Sequence, residues 1–164
     1  MGIVLTRIDD RLIHGQILET WVPFLNVDCI VVANDKVAKN VLRRKLIHAS
    51  VPKNIEVLFG SIDELKQIIG SNGMKDRRVL LLFNSSLDAL NAYQLGVGFS
   101  EINLGNLHGE PGGARFTCSV FLHEKDIVNL TSLEKSGVKI SLQCVPTDRS
   151  KNWSELLASQ VKQK

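Results

Sequence analysis

The stretch Ile3-Val4-Leu5-Thr6-Arg7-Ile8-Asp9-Asp10-Arg11-Leu12-Ile13-His14-Gly15-Gln16 decides how this chain is read. An apolar run leads into a polar loop, and an amphipathic helical pattern begins just past the histidine, over Gly15–Phe24. That is one strand–loop–helix unit. The pattern recurs. Short runs rich in Val, Ile and Leu predict strands near Gly2–Ile8, Cys29–Ala33, Ile55–Phe59, Val79–Phe83, Glu101–Leu104, Arg115–Phe121 and Lys139–Gln143. Longer amphipathic segments predict helices near Gly15–Phe24, Val37–His48, Ile62–Ile69, Leu87–Leu95, Lys125–Ser136 and Ser154–Val161. Such alternation specifies an α/β fold, a mostly parallel open twisted sheet of about seven strands with helices on both faces. Local signals agree: Ser61-Ile62-Asp63-Glu64 reads as a capping box, Ser85 or Ser86 as a cap, and Gly96 and Gly137 as helix stops. Pro52 separates the second helix from the third strand. No repeat, low-complexity tract or linker interrupts the chain, so residues 1–164 are read as one domain.

Composition narrows the class. The chain has 164 residues, 44% of them hydrophobic, and a mean hydropathy of +0.04, enough for a sizeable core in an ordinary globular protein. Its longest apolar runs, such as Val79-Leu80-Leu81-Leu82-Phe83, are too short to span a bilayer, and the N-terminus lacks signal-peptide segments, so a cytoplasmic location is expected. Cys29, Cys118 and Cys144 are odd in number and widely spaced, with no C-x-x-C, and are expected as buried reduced thiols. A net charge of +3 without interleaved aromatic and basic residues argues against nucleic acid.

The loop after the first strand holds two arginines, two aspartates and a histidine. Neutral imidazole is a nucleophile near neutral pH and a leaving group when its ring is protonated, so His14 can accept and release a phosphoryl group. Arg7 and Arg11 offer planar charged donors to phosphoryl oxygens. Amides of Gly15 and Gln16, at the start of the following helix, add positive potential. Asp9 or Asp10 can take the proton of the other ring nitrogen and fix the tautomer. The plain alternative is a solvated ion-pair cluster around a surface histidine.

With these residues in view, Arg7-Ile8-Asp9-Asp10-Arg11-Leu12-Ile13-His14-Gly15-Gln16 resembles the active-site signature of the IIB components of the mannose/fructose/sorbose family of the bacterial phosphotransferase system (PTS). Further matches follow in the family's order: Val32-Ala33-Asn34-Asp35, Glu101-Ile102-Asn103-Leu104-Gly105-Asn106-Leu107-His108, and Gly137-Val138 leading to Val145-Pro146-Thr147-Asp148. The resemblance implies that His14 takes a phosphoryl group from a phosphohistidine on a IIA protein. It would then pass the group, through Nδ1, to a sugar of the mannose, fructose, sorbose or N-acetylgalactosamine group bound by a IIC/IID membrane permease. It implies no metal, nucleotide or other cofactor, and peripheral association with the permease. IIA is expected as a separate chain, because the first strand and last helix lie close to the two ends of the sequence; a homodimer stays open. A non-enzymatic regulatory or ligand-binding module on the same scaffold is the competing reading. It is favoured by Gly113-Ala114-Arg115 standing where the family usually has a Lys-rich, Gln-containing run.

In open α/β sheets, reactive groups gather at the carboxyl ends of the strands. His14, Asn34-Asp35, Asn84-Ser85-Ser86 and the loop Gly105–Gly113 all fall there, and the resemblance makes Asn34, Asp35, Asn106 and His108 neighbours of the phosphoryl group. A helix cap is the alternative for Asn34-Asp35, and a plain surface position for His108. The Gly-rich loop lacks the G-K-[ST] ending of a nucleotide P-loop. His48 and His123 lack partners at metal-ligand spacing. Arg43-Arg44-Lys45 forms a basic run, either a solvated face or an attractor for an acidic partner. Trp21 and Phe24 are expected to pack on the sheet. Trp153 is expected to cover an edge or join a partner surface.

Overall fold

In the computed structural model, residues 2–109 and 111–161 are described, so Glu110 of the Gly-rich loop and both chain ends lie outside the described residues. Strands β1 (Gly2–Asp9), β2 (Cys29–Ala33), β3 (Glu56–Gly60), β4 (Arg78–Phe83), β5 (Glu101–Asn106) and β8 (Lys139–Leu142) form a parallel sheet, closed at one edge by the short antiparallel β9 (Lys151–Asn152). The order is β3-β2-β4-β1-β5-β8-β9. β1 therefore sits centrally, between β4 and β5, and its carboxyl end opens between two neighbours.

Strands β2 and β4 read as almost unbroken apolar runs because both faces are covered. On one face, Val31, Leu81 and Phe83 pack with residues of helices α4 (Leu65–Gly70), α5 (Ser86–Gln94), α6 (Glu124–Lys135) and α7 (Trp153–Val161). On the other, Ile30, Val32, Leu80 and Leu82 pack under α1 (residues 15–25), α2 (Asp35–Lys39) and α3 (Val41–Ser50). The capping box holds, with Ser61 N–H donating to Glu64 Oε2 at 2.9 Å, and Ser85 Oγ caps α5 by accepting from Asp88 N–H at 3.1 Å. Gly96 and Gly137 take φ of +88° and +94° after α5 and α6.

Several expectations need correction. The segment Arg115–Phe121 is no sheet strand: the chain reverses, Phe116 N–H bonding Val120 O at 2.9 Å, β6 (Ala114–Arg115) and β7 (Phe121–Leu122) pair in a separate two-stranded sheet, and Val120 makes a single bridge to Leu107 just past β5. Phe116, Val120 and Leu122 all reach the core at even spacing, which resembles a strand, but Cys118 between them is exposed. The seventh sheet strand is instead β9, an exposed Lys-Asn pair with no apolar signal. The second helix is two, because extended Asn40 (φ −98°, ψ 95°) breaks it and caps α3 by accepting from Arg43 N–H at 2.9 Å. Trp153 is fully buried and stacks on Phe116 at 5.6 Å between centroids, so it joins no outer surface. Of the cysteines only Cys29 is buried; Cys118 is exposed and Cys144 half-buried.

Helix α1 is π-helical over Ile17–Trp21, with Val22 N–H reaching Ile17 O. Pro23 follows one residue later; a proline lacks the N–H and crowds the carbonyl one turn back, and widening the preceding turn relieves both.

Candidate functional site

Around β1 the sheet face under α1 changes character. Ile102 and Leu104 point to the far side with Ile140 and Leu142, so Asn103, Gly105 and Ser141 face α1. Into this polar strip turn Arg7 and Asp9, both without exposed surface.

Arg7 uses all five of its N–H donors on the protein. Nε and Nη2 donate to Asp9 Oδ2 at 3.2 and 3.0 Å, Nη1 to Asn103 Oδ1 at 2.5 Å and to Gln143 O at 2.9 Å, and Nη2 to Cys144 O at 3.1 Å. Its guanidinium lies 5.2 Å from the Trp21 ring centroid, and Trp21 Nε1 donates to the same Cys144 carbonyl at 3.0 Å. On the opposite side is Gly105, where a Cβ would stand 1.8 Å from Arg7 Cζ. The β1–β5 ladder bulges there, pairing Ile8 with Leu104 and Asp9 with Asn106. Burial lowers the guanidinium's pKa, and Asp9 opposes that. The expectation that Arg7 donates directly to a phosphoryl group finds no free donor in this structure: every N–H is committed to the protein, and Arg7 holds Asp9 in place.

Asp9 Oδ2 also accepts from Asn106 Nδ2 at 2.8 Å and lies 3.1 Å from His14 Nε2. Burial alone would raise this carboxyl's pKa, but hydrogen bonds from His14 and Asn106 and the charge of Arg7 hold it below the ordinary value. An ionised carboxylate only accepts, so Nε2 carries the hydrogen, and in the neutral ring the lone pair lies on Nδ1. Of the two aspartates offered for this task, Asp9 performs it. His14 is also the cap of α1, its carbonyl accepting from Leu18 N–H at 3.1 Å, so the unpaired amides of Gly15, Gln16 and Ile17 adjoin it. The His14 side chain is 8% exposed, and enclosed Nδ1 has no hydrogen-bond partner among the described residues. The ring is enclosed because it is drawn down on to fully buried Asp9.

Arg11 differs from Arg7. It is exposed, its guanidinium has no protein partner among the described residues, and its backbone N–H donates to Asp9 Oδ1 at 3.2 Å. Next to it, buried Leu12 holds φ +56°, a left-handed conformation costly for a non-glycine residue. Asp10 ties loops together: Oδ2 accepts from His108 N–H at 2.7 Å, and its carbonyl accepts from Asn84 Nδ2 at 2.7 Å. His108, half exposed, lies with Nδ1 3.5 Å from Asp10 Oδ2. Gln16 bridges Asn106, at 3.2 Å from its Oε1, and Cys144 Sγ, at 3.4 Å from its Nε2. Gly15 is exposed at the helix start, and a Cβ there would meet only Glu19, at 3.8 Å.

Asn34 and Asp35 serve other ends. Asn34 caps α2 by accepting from Val37 N–H at 3.0 Å, and Asp35 accepts from Ile62 N–H at 2.9 Å, both beyond β4 from His14. The helix-cap alternative describes Asn34, and neither residue bonds the His14 loop among the described residues. Sequence reasoning missed Asn103, Ser141, Trp21, Gln143 and Cys144 as parts of the support. The available signal was the alternation of Asn103 and Ser141 with apolar neighbours in central strands.

The model of the family "PTS system sorbose subfamily IIB component" matches residues 3–164. The chain belongs to this family. It is 33% identical to the PTS system fructose-specific EIIB component of Bacillus subtilis over 162 residues, covering 99% of each chain. It superposes on the crystal structure of the IIBSor domain of the sorbose permease from Klebsiella pneumoniae with a TM-score of 0.89 and 33% identity, over 97% of this chain and 98% of that one. It is also 29% identical to the mannose-specific EIIAB component of Escherichia coli strain K12, covering 96% of this chain and 49% of that protein. This PTS IIB chain is thus a sugar-specific phosphotransferase-system component with a mostly parallel seven-stranded sheet. Among the described residues no helix is long and apolar enough to cross a membrane.

Proposed function

We propose that this chain is the phosphoryl carrier between a phosphorylated IIA protein and a sugar held by a IIC/IID permease, with His14 Nδ1 as the carrying atom and residues 1–164 as its IIB domain. The observation that supports this most is the His14 imidazole, hydrogen-bonded through Nε2 to an ionised, buried Asp9 while Nδ1 lacks a protein partner at the start of a helix.

The Nδ1 lone pair attacks phosphorus as the P–N bond to the donor histidine breaks. Phosphorylated His14 acquires positive charge on its ring, and Asp9, held ionised by Arg7, stabilises it through Nε2–H. Arg11 and the amides of Gly15 and Gln16 offset the negative charge on the equatorial oxygens, so most of the catalytic effect is positioning and electrostatics. In the second step a sugar hydroxyl attacks phosphorus, the P–Nδ1 bond breaks and the hydroxyl proton is released, which restores neutral His14. Because Nδ1 is enclosed, the ring or its cover shifts before a donor reaches it. Asp10 and His108 hold the neighbouring loop in place. The carrier role gives the protein a cytoplasmic site of action, with IIA as its donor; the two-part name of the mannose-specific EIIAB relative fits that partnership.

The test is phosphorylation by the general PTS proteins and a candidate IIA, followed by mass mapping. Label on His14, labile in acid and absent from His14→Ala but kept in Cys144→Ser, is the expected result. Acid-stable label that disappears in Cys144→Ser would move the carrier to the thiol beside Gln16 and overturn the assignment.

A further inference from the structure

Helix α3 is built inside out. Val41, Leu42 and Leu46 are 54, 69 and 63% exposed, none of the ten residues is buried, and Ile47 is the large apolar side chain that anchors it to the core. Leu42 and Leu46, one turn apart, share the outward face. Asn40 sets this helix off from α2 and caps it, so its pose does not depend on burying its leucines. Three large apolar residues left in water on one short helix mark a surface that meets something else.

Charge says what. Between residues 36 and 53 the chain carries Lys36, Lys39, Arg43, Arg44, Lys45 and Lys53 and no aspartate or glutamate. Of 20 cations and 17 acids in all, that leaves fourteen cations against seventeen acids elsewhere, so the net charge of +3 originates in this segment. The occupant must be anionic and must also offer an apolar medium one side chain deep. A bilayer containing anionic lipids offers both, phosphates above and acyl chains just below. The cytoplasmic loops of membrane proteins are enriched in Lys and Arg, which would repel this helix.

We propose that α3 is a lipid-contacting surface: Leu42, Leu46 and Val41 enter the headgroup boundary of an anionic bilayer while Arg43, Lys45 and the flanking lysines pair with lipid phosphates. A ten-residue helix gives weak, reversible binding, suited to a carrier that leaves the membrane to be recharged. The proposed carrier role supplies this reason for visiting a membrane, but binding itself is measured without phosphotransfer.

The experiment is co-sedimentation of the full chain with vesicles of phosphatidylglycerol and phosphatidylcholine, or of phosphatidylcholine alone, in low and high salt. Binding to the anionic vesicles only is expected, weakened at least tenfold by raising NaCl to about 0.5 M, where the screening length falls to a few ångströms. Leu42→Ser/Leu46→Ser and Arg43→Glu/Lys45→Glu should each lower partitioning by about tenfold or more, with unchanged circular dichroism and unchanged labelling of His14. His14→Ala should bind vesicles like the wild type, so loss of the carrier role and loss of lipid binding are read separately. Equal binding to neutral vesicles, or none to anionic ones, overturns the proposal. So does a homodimer in solution that the leucine substitutions dissociate, since a second copy would then be the occupant.

Discussion

Strands β4 and β1 lie side by side and parallel, yet their carboxyl-terminal halves are made of different matter. Val79 to Phe83 is wholly aliphatic and aromatic and fully buried, whereas Arg7-Ile8-Asp9, equally buried, ends in a charge pair closed by hydrogen bonds. Apolar burial stabilises β4 through area removed from water, which tolerates conservative change and is indifferent to pH. A buried ion pair adds little net stability because desolvation offsets its attraction, but removing one partner is severe. One strand holds the fold together, and its neighbour holds a geometry. The two duties are therefore separable by mutation.

The largest effect should come from breaking the pair. Arg7→Met should cost about 3–5 kcal/mol in urea unfolding by leaving Asp9 uncompensated, comparable to Leu81→Ala in β4 at about 2–5 kcal/mol. The distinguishing experiment is the double variant: Arg7→Met/Asp9→Asn should recover part of the loss, since no uncompensated charge remains. A double variant no better than the single would mean that Arg7 acts by packing alone.

Gly105→Ala comes next, at about 2–3 kcal/mol, because its Cβ would collide with a guanidinium fixed by five hydrogen bonds. The same change at Gly15, where the nearest obstacle is Glu19 at 3.8 Å, should leave the unfolding midpoint almost unmoved. Equal costs at the two glycines would show that Arg7 can retreat, and that the strip around it is softer than its hydrogen bonds suggest.

The sequence was legible where one period dominated. Strands β1 to β4 carry apolar runs, β5 and β8 alternate Ile and Leu with polar residues, and the caps at Ser61 and Ser85 follow short local rules, so all of these could be read without tertiary knowledge. Phe116–Leu122 misled because Phe116, Val120 and Leu122, buried by a folded-back loop, stand at even spacing like the inward residues of a strand, although Cys118 between them is exposed. β9 was invisible, as two exposed polar residues carry no pattern. At the site, the pairing of His14 with an aspartate followed from chemistry, but the division of labour between Arg7 and Arg11 did not. Which arginine is buried depends on strand register and on the left-handed turn at Leu12, and neither is written in residue types.

Acid should separate the two strands further. Asp9's pKa is lowered in the folded state, so its contribution is fully present above the ordinary carboxylate value near 3.8 and is lost as pH falls through the lower folded value. Asn106→Ala removes a donor that favours the ionised form, at about 1–2 kcal/mol near neutral pH. That cost should shrink as Asp9 protonates, whereas the cost of Leu81→Ala should be the same in acid and at pH 7. Parallel pH profiles for the two variants would remove the electrostatic distinction between the strands.

The smallest effect on stability should be at Arg11, four residues from the arginine with the largest. Its guanidinium is exposed and has no protein partner among the described residues, so Arg11→Ala should change unfolding free energy by no more than about 0.5 kcal/mol. If Arg11 stabilises the transferring phosphoryl group, the same substitution should slow transfer from IIA to His14 by about a hundredfold, the scale of losing one preorganised charge stabiliser. Arg11→Lys should recover only part of the rate, because an ammonium cannot match two phosphoryl oxygens with a planar fork. The informative quantity is the ratio of the two losses. Arg7→Met should lose stability and rate together, since it acts through Asp9, and Arg11→Ala should lose rate alone. Slowing in Arg11→Ala that merely followed a fall in stability would return Arg11 to the class of supporting residues and leave the amides at the start of α1 as the remaining phosphate donors.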